Sequence, residues 1–297
     1  MVTSWREPNE LKKWFTTDEA GIQVYWLPVP YSNHMSYNQR IASFFKFVWG
    51  AARKAASLSA DVIFATSTPL TIALPGIYAA RRQKVPMVFE VRDLWPVVPI
   101  AMGALSNPLV RSAAFKLERF AYANSYEIVT LSPTMTASIN KTGISSERIT
   151  EIPNSCDLDV FYPNKRLRHQ FRSAHGINDD KILFVYTGTF GKVNEVSYLA
   201  YLAKALVDDQ RFHFLSIGDG VDHGDVHQLA VELGVLNKNM TMLKRIPKTE
   251  MTSVLAAADI ASSFVALFTA AGGFACASRT LQFSLRFFAS LTAALSH

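Results

Sequence analysis

Apolar runs and amphipathic stretches alternate along the first half of the chain, as strands and helices do in α/β proteins. Short apolar runs predict the five strands of one sheet, at residues 22–27, 61–66, 86–91, 127–131 and 149–153. Segments with apolar residues at helical spacing predict four helices, at residues 37–58, 70–83, 108–123 and 133–141. The third helix is the best marked, because Asn107 can cap it and Pro108 suits its first turn.

A second alternating series follows a polar, turn-rich stretch at residues 153–165. It predicts strands at residues 182–187, 212–217 and 240–243, and helices at residues 194–208, 226–233 and 248–258. A chain of 297 residues can bury two cores. The sequence therefore predicts an α/β fold of two Rossmann-like domains, residues 1–160 and 161–297, that face each other across a cleft.

Composition narrows the classes of partner. Apolar residues make up 49% of the chain and charged residues 18%, which is typical of an ordered globular protein. The net charge of +6 favours an anionic partner: a phosphate-bearing ligand, a membrane surface or nucleic acid. The sequence contains no nucleic-acid module signature, so we expect no nucleic-acid partner.

The cysteines and the N-terminus bear on location. The two cysteines, Cys156 and Cys276, lie far apart and form a poor disulfide framework, which fits a reducing cytosol. The first seven residues lack an apolar signal core, so we expect a cytoplasmic protein.

Two histidines at helical spacing raise the possibility of a metal site. His223 and His227 lie four residues apart, near Asp222 and Asp225. No third ligand follows at a suitable spacing, so the start of a solvated helix is the better interpretation and we predict no metal.

A charged cluster follows the apolar run at residues 85–89. Glu90, Arg92, Asp93 and Trp95 emerge together where this strand ends. Ligands of open α/β sheets bind at the carboxyl ends of the strands, and unpaired charges are costly to bury. The cluster therefore indicates a cleft, and a salt-bridged loop that only caps the strand is the alternative.

Hydroxyl groups mark the end of the preceding strand. Ser67 and Thr68 stand between a predicted strand and a predicted helix, where hydroxyls and free N–H groups suit a phosphate of a second substrate. Ordinary capping of the helix is the simpler interpretation of these residues.

Glycine turns end two successive strands of the second half. Gly188, Gly191 and Lys192 follow one strand, and the Gly218–Gly220 turn follows the next. Such turns expose N–H groups that bind phosphate, and a following helix adds partial positive charge. Together they indicate a nucleotide or diphosphate. The sequence has neither an intact G-x-G-x-x-G motif nor a P-loop, which argues against NAD.

The predicted helix at residues 37–58 mixes aromatic and basic residues: Phe44, Phe45, Phe47 and Trp49 with Arg40, Lys46, Arg53 and Lys54. Such a helix can lie in a membrane interface. A core helix with a basic outer face is the alternative.

Together these motifs resemble family 4 glycosyltransferases of the GT-B architecture, in particular the bacterial surface-polysaccharide branch that includes N-acetyl-L-fucosamine transferases. The resemblance extends from residue 2 to about residue 265. The motifs that carry it are PYSNHMS at 30–36, TSTPLT at 66–71, FEVRDLWP at 89–96, IPNSCDLD at 152–159, TGTFG at 187–191, GDG at 218–220 and AADI at 257–260.

The resemblance implies a nucleotide-sugar donor, UDP-linked, on the second domain, with no metal or other cofactor. The implied donor-binding residues are Gly188, Thr189, Gly191 and Lys192 at the diphosphate, and Gly218, Asp219, Gly220, Arg245 and Ile246 around the base. Lys192 and backbone dipoles would neutralise the departing diphosphate.

The resemblance also implies an acceptor on the first domain. The implied catalytic residues are Arg92 and Asp93, and the implied acceptor-binding residues are Ser67, Thr68, Glu90 and Trp95. The acceptor implied for this branch is a polyprenyl-diphosphate-linked saccharide. It would receive an N-acetylamino sugar in polysaccharide or O-antigen synthesis, and the enzyme would lie peripherally on the inner face of the plasma membrane.

Two departures from the family pattern predict a chain incomplete at both ends. The first strand and its glycine-rich loop are missing, since residues 1–5 resemble the end of the second strand. The E-x7-E motif expected after Asp259 is also missing, because Glu250 is the last glutamate. The tail from about residue 265 is aberrant, which suggests a frameshift; a membrane span over residues 260–278 is disfavoured by its many small polar residues.

These departures leave two alternatives to an active enzyme of this family. One is a non-catalytic remnant that binds membrane or a partner. The other is a GT-B sugar-nucleotide epimerase, which would need a carboxylate pair in the cleft for proton transfer. The loss of acidic residues from the tail counts against the epimerase.

Overall fold

Each half of the chain is an α/β unit built on parallel strands. The computed structural model describes residues 1–5, 13–30, 35, 37–67, 69–101 and 105–263. The chain divides into Met1–Asn154, here called unit 1, and Ser155–His297, here called unit 2. The predicted loss of the E-x7-E motif and the aberrant tail fall outside the described residues.

The start of unit 1 is a three-stranded sheet with the order β1-β3-β2, formed by β1 (Val2–Trp5), β2 (Phe15–Glu19) and β3 (Ile22–Pro28). β1, a strand where residues 1–5 resembled a strand end, runs parallel to β3. β2 pairs with β3 in an antiparallel hairpin that the sequence pattern did not predict. The hairpin turns at Ala20 and Gly21, which both have positive φ.

The rest of unit 1 is a four-stranded parallel sheet with the order β4-β5-β6-β7, formed by β4 (Ile63–Thr66), β5 (Met87–Val91), β6 (Glu127–Thr130) and β7 (Ile149–Glu151). Its helices are α2 (Ala73–Gln83), α3 (Val97–Ala101), α4 (Pro108–Ala123) and α5 (Pro133–Asn140), and α1 (Tyr37–Ala56) connects the two sheets. The prediction that residues 22–27 belong to the same sheet as the later strands is wrong. Their apolar pattern specifies a strand but not its neighbour, and β3 pairs only with β1 and β2.

Helix α4 begins where its capping residues predict. The Leu109 N–H donates to Asn107 Oδ1 at 2.8 Å, and Pro108 occupies the first turn of α4. α4 buries Tyr122 against Phe89 of β5, with ring centroids 6.3 Å apart. This contact fixes α4 on the sheet.

Unit 2 is a four-stranded parallel sheet with the order β10-β9-β8-β11, formed by β8 (Ile182–Thr189), β9 (Phe212–Asp219), β10 (Met240–Leu243) and β11 (Ile260–Ser262). Its helices are α6 (Lys165–Ala174), α7 (Ser197–Ala205), α8 (His223–Glu232) and α9 (Lys248–Ala257). Alternate residues of β8 and β9 belong to two apolar clusters, so both strands are buried on both faces.

Helix α6 lies between the predicted polar stretch at residues 153–165 and the predicted strand at residues 182–187, where the sequence pattern predicted no element. The helix exposes Lys165 and Arg166 but buries Arg172 completely. Arg172 donates to the backbone oxygen of Ala257 at 2.8 Å and to Asp259 Oδ2 at 2.6 Å. Asp259 also accepts from the Leu183 N–H at 2.7 Å, so this pair joins α6, β8 and the start of β11.

Among the described residues, no helix is both long enough and apolar enough to cross a bilayer.

Candidate functional site

The candidate acceptor edge lies at the carboxyl ends of β4 and β5, where Thr66 is directly paired with Glu90. Thr66 Oγ1 donates a short hydrogen bond to Glu90 Oε2. The other carboxylate oxygen, Glu90 Oε1, lies 3.7 Å from Arg92 Nη1. The Arg92 N–H in turn donates to Ser67 Oγ at 2.9 Å. The four residues form one linked group at the strand ends, joined through side chains and the Arg92 backbone N–H.

The linked group modifies two expectations from the sequence. Glu90 does not follow the strand but belongs to β5, so its carboxylate is held within the sheet edge. Ser67 does not cap the following helical turn; its hydroxyl positions Arg92, and the turn at Leu70–Ile72 has no side-chain cap. Half of the Arg92 side chain is exposed, against 16% of Glu90, so the guanidinium can still reach a ligand.

The remaining predicted residues of this edge are less closely grouped. Asp93 is exposed, and the Trp95 N–H donates to its backbone oxygen at 3.0 Å. Trp95, which is joined to Pro96 by a cis peptide bond, packs against the apolar cluster that includes Phe89. Thr68 lies outside the described residues. Thr66, which the site prediction omitted, is the partner that orients Glu90; its signal in the sequence is a hydroxyl on the last residue of a strand.

The candidate donor edge lies at the carboxyl ends of β8 and β9. Gly188 is paired with Gly218, and Thr189 with Asp219. The ladder continues beyond Thr189, because the Phe190 N–H donates to the Asp219 backbone oxygen at 3.0 Å. The two predicted glycine turns are therefore neighbours in space.

Glycine is required at two positions of this edge. Gly218 has a φ of +155°, and a Cβ there would lie 1.8 Å from the Gly188 backbone oxygen. Gly220 has a φ of +154°, and a Cβ there would lie 2.2 Å from the Phe190 backbone oxygen. A side chain at either position would have to occupy the space of the neighbouring loop, so these glycines let two strand ends meet through their backbones.

Only one of the two turns leads directly into a helix. α8 begins at His223, three residues after Gly220, and its free N–H groups favour an anion there. α7 begins at Ser197 rather than at the predicted residue 194, because Glu195 has a φ of +42°. The predicted helix does follow the turn at Gly188, Gly191 and Lys192, but it begins three residues later than predicted, so its N-terminus lies farther from the turn.

The other predicted donor residues differ in exposure. Lys192 and Arg245 are exposed, and neither forms an ion pair with another described residue. Ile246 is half-buried and packs against the apolar cluster that contains Leu215. Only the backbone and the exposed edge of residue 246 can therefore contact a ligand.

Two ionisable residues beside the first glycine turn were not predicted. Burial raises the pKa of the Tyr186 phenol, whose hydroxyl donates to the Thr189 backbone oxygen at 2.8 Å. Burial also raises the pKa of Glu195, which follows the turn. The only signal for Glu195 in the sequence is an acidic residue shortly after a glycine turn.

The described residues contain no group of three His, Cys, Asp or Glu side chains that could hold a metal ion. His223 does begin a helix, but it is not simply solvated. Its ring contacts Phe190, with centroids 4.9 Å apart, and its Nε2 atom is buried.

The sequence of this chain is similar to that of known proteins. A family model described as a glycosyl transferase 4-like domain matches residues 2–155. The chain is 28% identical over 98 residues, 33% of its length, to EpsF of Bacillus subtilis (strain 168), a protein provisionally named as a glycosyltransferase. This match spans 26% of EpsF.

Solved structures of other proteins share the fold. A crystal structure of Anabaena HepE in complex with UDP and glucose superposes with a TM-score of 0.60 at 15% identity, over 82% of this chain and 61% of that one. Sucrose-phosphate synthase from Thermosynechococcus elongatus gives a TM-score of 0.67 at 14% identity, over 88% and 64%. The chain thus spans about three fifths of these structures. The predicted fold class, Rossmann-like α/β units of GT-B type, is confirmed; the cleft stays a prediction.

Proposed function

Because this chain belongs to the glycosyl transferase 4-like domain family, whose model matches more than half of its length, we propose that it transfers a sugar from a nucleotide-diphosphate donor. The observation that carries the proposal is the family match over unit 1, followed in unit 2 by a strand-end edge in which glycines bring two loops into backbone contact. Such an edge leaves room for a diphosphate close to backbone N–H groups.

The donor is assigned to unit 2. The proposed diphosphate site comprises Gly188, Thr189, Gly191 and Lys192, and the proposed base site comprises Gly218, Asp219, Gly220, Arg245 and Ile246. A uridine nucleotide is favoured because HepE, which shares the fold, was crystallised with UDP. The exposed ammonium of Lys192 suits charge that develops on the leaving diphosphate.

The acceptor is assigned to the carboxyl edge of unit 1. We propose that Arg92 and Asp93 contact the reacting groups, and that Ser67, Thr68, Glu90 and Trp95 help to bind the acceptor. Glu90 and Thr66 would hold the Arg92 guanidinium at the strand end. The proposed acceptor is a polyprenyl-diphosphate-linked saccharide and the transferred group an N-acetylamino sugar such as N-acetyl-L-fucosamine, in polysaccharide or O-antigen synthesis.

The outer face of α1 supports a lipid-linked acceptor. Phe45 is 66% exposed and Trp49 65% exposed, one helical turn apart. The guanidinium of Arg53 lies 4.5 Å from the centre of the Trp49 ring, and Lys46 is exposed beside Phe45. Aromatic rings with adjacent cations suit the headgroup region of an anionic bilayer. We therefore assign this face a peripheral membrane contact.

Calorimetry with UDP and a panel of UDP-sugars tests the donor site. We expect UDP to bind the chain, and Lys192→Ala to weaken binding about ten-fold, since a charge-assisted contact contributes roughly 1.5 kcal/mol. Lys204→Ala, which removes the same charge from an exposed position on α7, is the matched control and should leave the affinity unchanged. Absence of UDP binding would contradict the proposed function.

A second candidate, membrane binding without catalysis, is favoured by the exposed aromatics of α1. Sedimentation with anionic and with neutral vesicles tests it. We expect binding to anionic vesicles that Phe45→Ser with Trp49→Ser reduces. Tyr126→Ser removes an aromatic residue that is 72% exposed elsewhere on unit 1 and serves as the control. Vesicle binding without UDP binding would favour this candidate over the enzyme.

A further inference from the structure

Helices α2 and α4 cover the same face of the β4-β5-β6-β7 sheet. A Cβ on Gly76 of α2 would lie 2.9 Å from the Met87 sulfur, and the Tyr122 ring of α4 lies 6.3 Å from that of Phe89. Met87 and Phe89 are alternate residues of β5 and point to the same side of the sheet. α2 packs closely along α1 but contacts α4 much less. A groove therefore separates the outer surfaces of α2 and α4.

The groove consists of two adjoining concavities. The larger, of about 440 Å³, lies between the two helices, with Tyr78 on the α2 side and Phe120 on the α4 side. The smaller, of about 320 Å³, lies at the ends of the helices, beside Lys84 and Asn124. Arg81 lines both concavities, so they form one continuous groove.

An apolar stripe runs along the exposed side of α4. Leu109, Ala113, Lys116 and Phe120 follow one another at intervals of four, three and four residues, which places them on one face of the helix. All four are exposed, and Leu109 is 80% exposed. The stripe rises about 16 Å from Leu109 to Phe120, or three helical turns. Apolar residues in such a contiguous stripe are typical of a surface that binds another protein or a membrane.

The groove is positively charged. Arg81, Lys84 and Lys116 are exposed, and none of them forms an ion pair with another described residue. Glu118 is the only acidic residue of α2 and α4, and it is buried, where it accepts from the Tyr122 hydroxyl at 3.3 Å. A partner that carries carboxylates therefore complements this surface.

Arg81 is held in position between the two helices. Its Nη2 atom donates a short hydrogen bond to Asn124 Oδ1, and its guanidinium carbon lies 5.8 Å from the centre of the Phe120 ring. The side chain nevertheless remains exposed. An arginine fixed in this way loses little conformational freedom when it binds a carboxylate.

The shape of the surface favours a helix over a bilayer. The headgroup region of a bilayer follows the outer contour of a protein and would leave both concavities unfilled. Side chains from one face of a helix can enter them, since helix-in-groove recognition uses apolar residues at helical spacing. Tyrosine and arginine are also the residues that most often anchor protein interfaces.

We propose that the groove between α2 and α4 binds an acidic amphipathic helix of a partner protein. Apolar side chains of that helix would occupy the groove beside Tyr78 and Phe120, and its carboxylates would pair with Arg81, Lys84 and Lys116. The ends of α2 and α4 precede β5 and β6, so the groove opens toward the amino ends of these strands. The candidate acceptor edge lies at the carboxyl ends, and the proposal does not depend on glycosyl transfer.

Fluorescence anisotropy with a labelled synthetic peptide tests the proposal. The probe is a helix of about 18 residues with Leu and Phe along one face and Glu on both sides of that face. The control peptide has the same residues in an order that disperses the apolar ones around the helix. We expect the whole chain to bind the probe at least ten-fold more tightly than the control peptide, because only the probe can fill the groove.

Two variants and their matched controls locate the binding. Arg81→Glu and Phe120→Ser should each weaken binding of the probe at least ten-fold. Lys141→Glu reverses an exposed charge at the end of α5, and Tyr201→Ser removes an exposed aromatic residue from α7; both should change it less than two-fold. Far-UV circular dichroism checks that each variant is folded, and Arg81→Glu, at an exposed position, remains decisive if Phe120→Ser unfolds.

Four results would overturn the proposal. One is equal affinity for the two peptides, and another is unchanged binding of the probe by folded Arg81→Glu. The third is a loss of sedimentation with anionic vesicles in Arg81→Glu while binding of the probe stays the same, since a bilayer would then be the occupant. The fourth is self-association of the chain in analytical ultracentrifugation that Arg81→Glu abolishes, because a second copy would then occupy the groove.

Discussion

The strand-end edges of the two units are held together by different groups: side chains in unit 1 and backbone contacts in unit 2. In unit 1, the side chains of Thr66, Glu90 and Arg92 hold one another at the ends of β4 and β5. In unit 2, Gly218 and Gly220 bring backbone segments into contact and leave no space for side chains. A site made of side chains can lose a group and still fold, whereas a site made of backbone contacts is part of the folded core. Substitutions at the edge of unit 1 should therefore affect function more than stability, and substitutions at the edge of unit 2 should affect stability more than function.

The largest expected effect is on the stability of unit 2. Gly218→Ala would place a Cβ 1.8 Å from the Gly188 backbone oxygen at a φ of +155°. Because both strands must move to relieve this clash, we expect a loss of more than about 4 kcal/mol in the free energy of unfolding of unit 2. Urea unfolding followed by far-UV circular dichroism measures it.

The sequence provides both a control variant and a unit-specific signal. Gly224 lies within α8, and a Cβ there meets nothing within 4 Å, so Gly224→Ala should be neutral or stabilise by up to about 1 kcal/mol. All five tryptophans lie in unit 1, so their fluorescence should follow unit 1 and stay unchanged in Gly218→Ala. Equal stability of the two alanine variants would show that the strand ends of unit 2 are not held as described.

The next effect distinguishes two arginines that contact the same carboxylate. Arg172 is fully buried and donates to Asp259 and to four backbone oxygens, whereas Arg168, on the same helix, is 27% exposed. We expect Arg172→Leu to lower the free energy of unfolding of unit 2 by about 3 kcal/mol or more, because backbone acceptors are left buried and unpaired. Arg168→Leu should cost about 1 kcal/mol or less. Similar losses in urea titrations of both variants would contradict the difference in burial.

The sequence predicts those elements of the fold that have a clear local pattern. β8 and β9 were predicted because strands buried on both faces are continuous apolar runs, and α4 because Asn107 and Pro108 mark its start. α6 and β2 were not predicted: α6 has a largely charged surface, and β2 is a polar hairpin strand. The pairing of β3 with β1 depends on contacts between distant residues, which no local pattern contains.

The candidate site was predictable to a similar degree. A charged cluster and two glycine turns at strand ends were visible in the sequence, because the carboxyl edge of a parallel sheet collects the residues that follow each strand. The bond between Thr66 and Glu90 was not, since it depends on the register of β4 against β5. Nor was the late start of α7, which depends on the positive φ of Glu195.

Buried ionisable groups should give the two units opposite dependences on pH. Burial in unit 2, together with Lys181 and Arg172, lowers the pKa of His213 to about 4. The unfolded chain binds a proton below about pH 6.5 while folded His213 stays neutral, so unit 2 should lose about 3 kcal/mol as the pH falls from 6.5 to 4. In unit 1, burial raises the pKa of Glu118 above its usual 4.5. The folded carboxyl then keeps its proton while the unfolded one ionises, so unit 1 should lose stability as the pH rises through that range.

Conservative variants isolate these two contributions. His213→Gln keeps a polar group near Thr241 Oγ1, which lies 2.9 Å from His213 Nε2, and should flatten the pH dependence followed by circular dichroism. Glu118→Gln should flatten the pH dependence of the stability of unit 1, which tryptophan fluorescence follows. If either variant keeps the slope of the unsubstituted chain, the burial of that residue does not determine the pH dependence of its unit.

The smallest effect on stability is expected at the edge of unit 1, where the effect on chemistry should be largest. Arg92 is half-exposed and its ion pair with Glu90 is long, at 3.7 Å, so Arg92→Ala should change the free energy of unfolding by less than about 0.5 kcal/mol. If Arg92 contacts the acceptor, the same variant should lower turnover at least about ten-fold while the affinity for UDP stays the same. The assay measures sugar transfer from a UDP-sugar, and Arg82→Ala, an exposed arginine on α2, is the control. Equal losses of turnover and of UDP affinity would place Arg92 at the donor instead. The assignment of the acceptor to the edge of unit 1 would then be wrong.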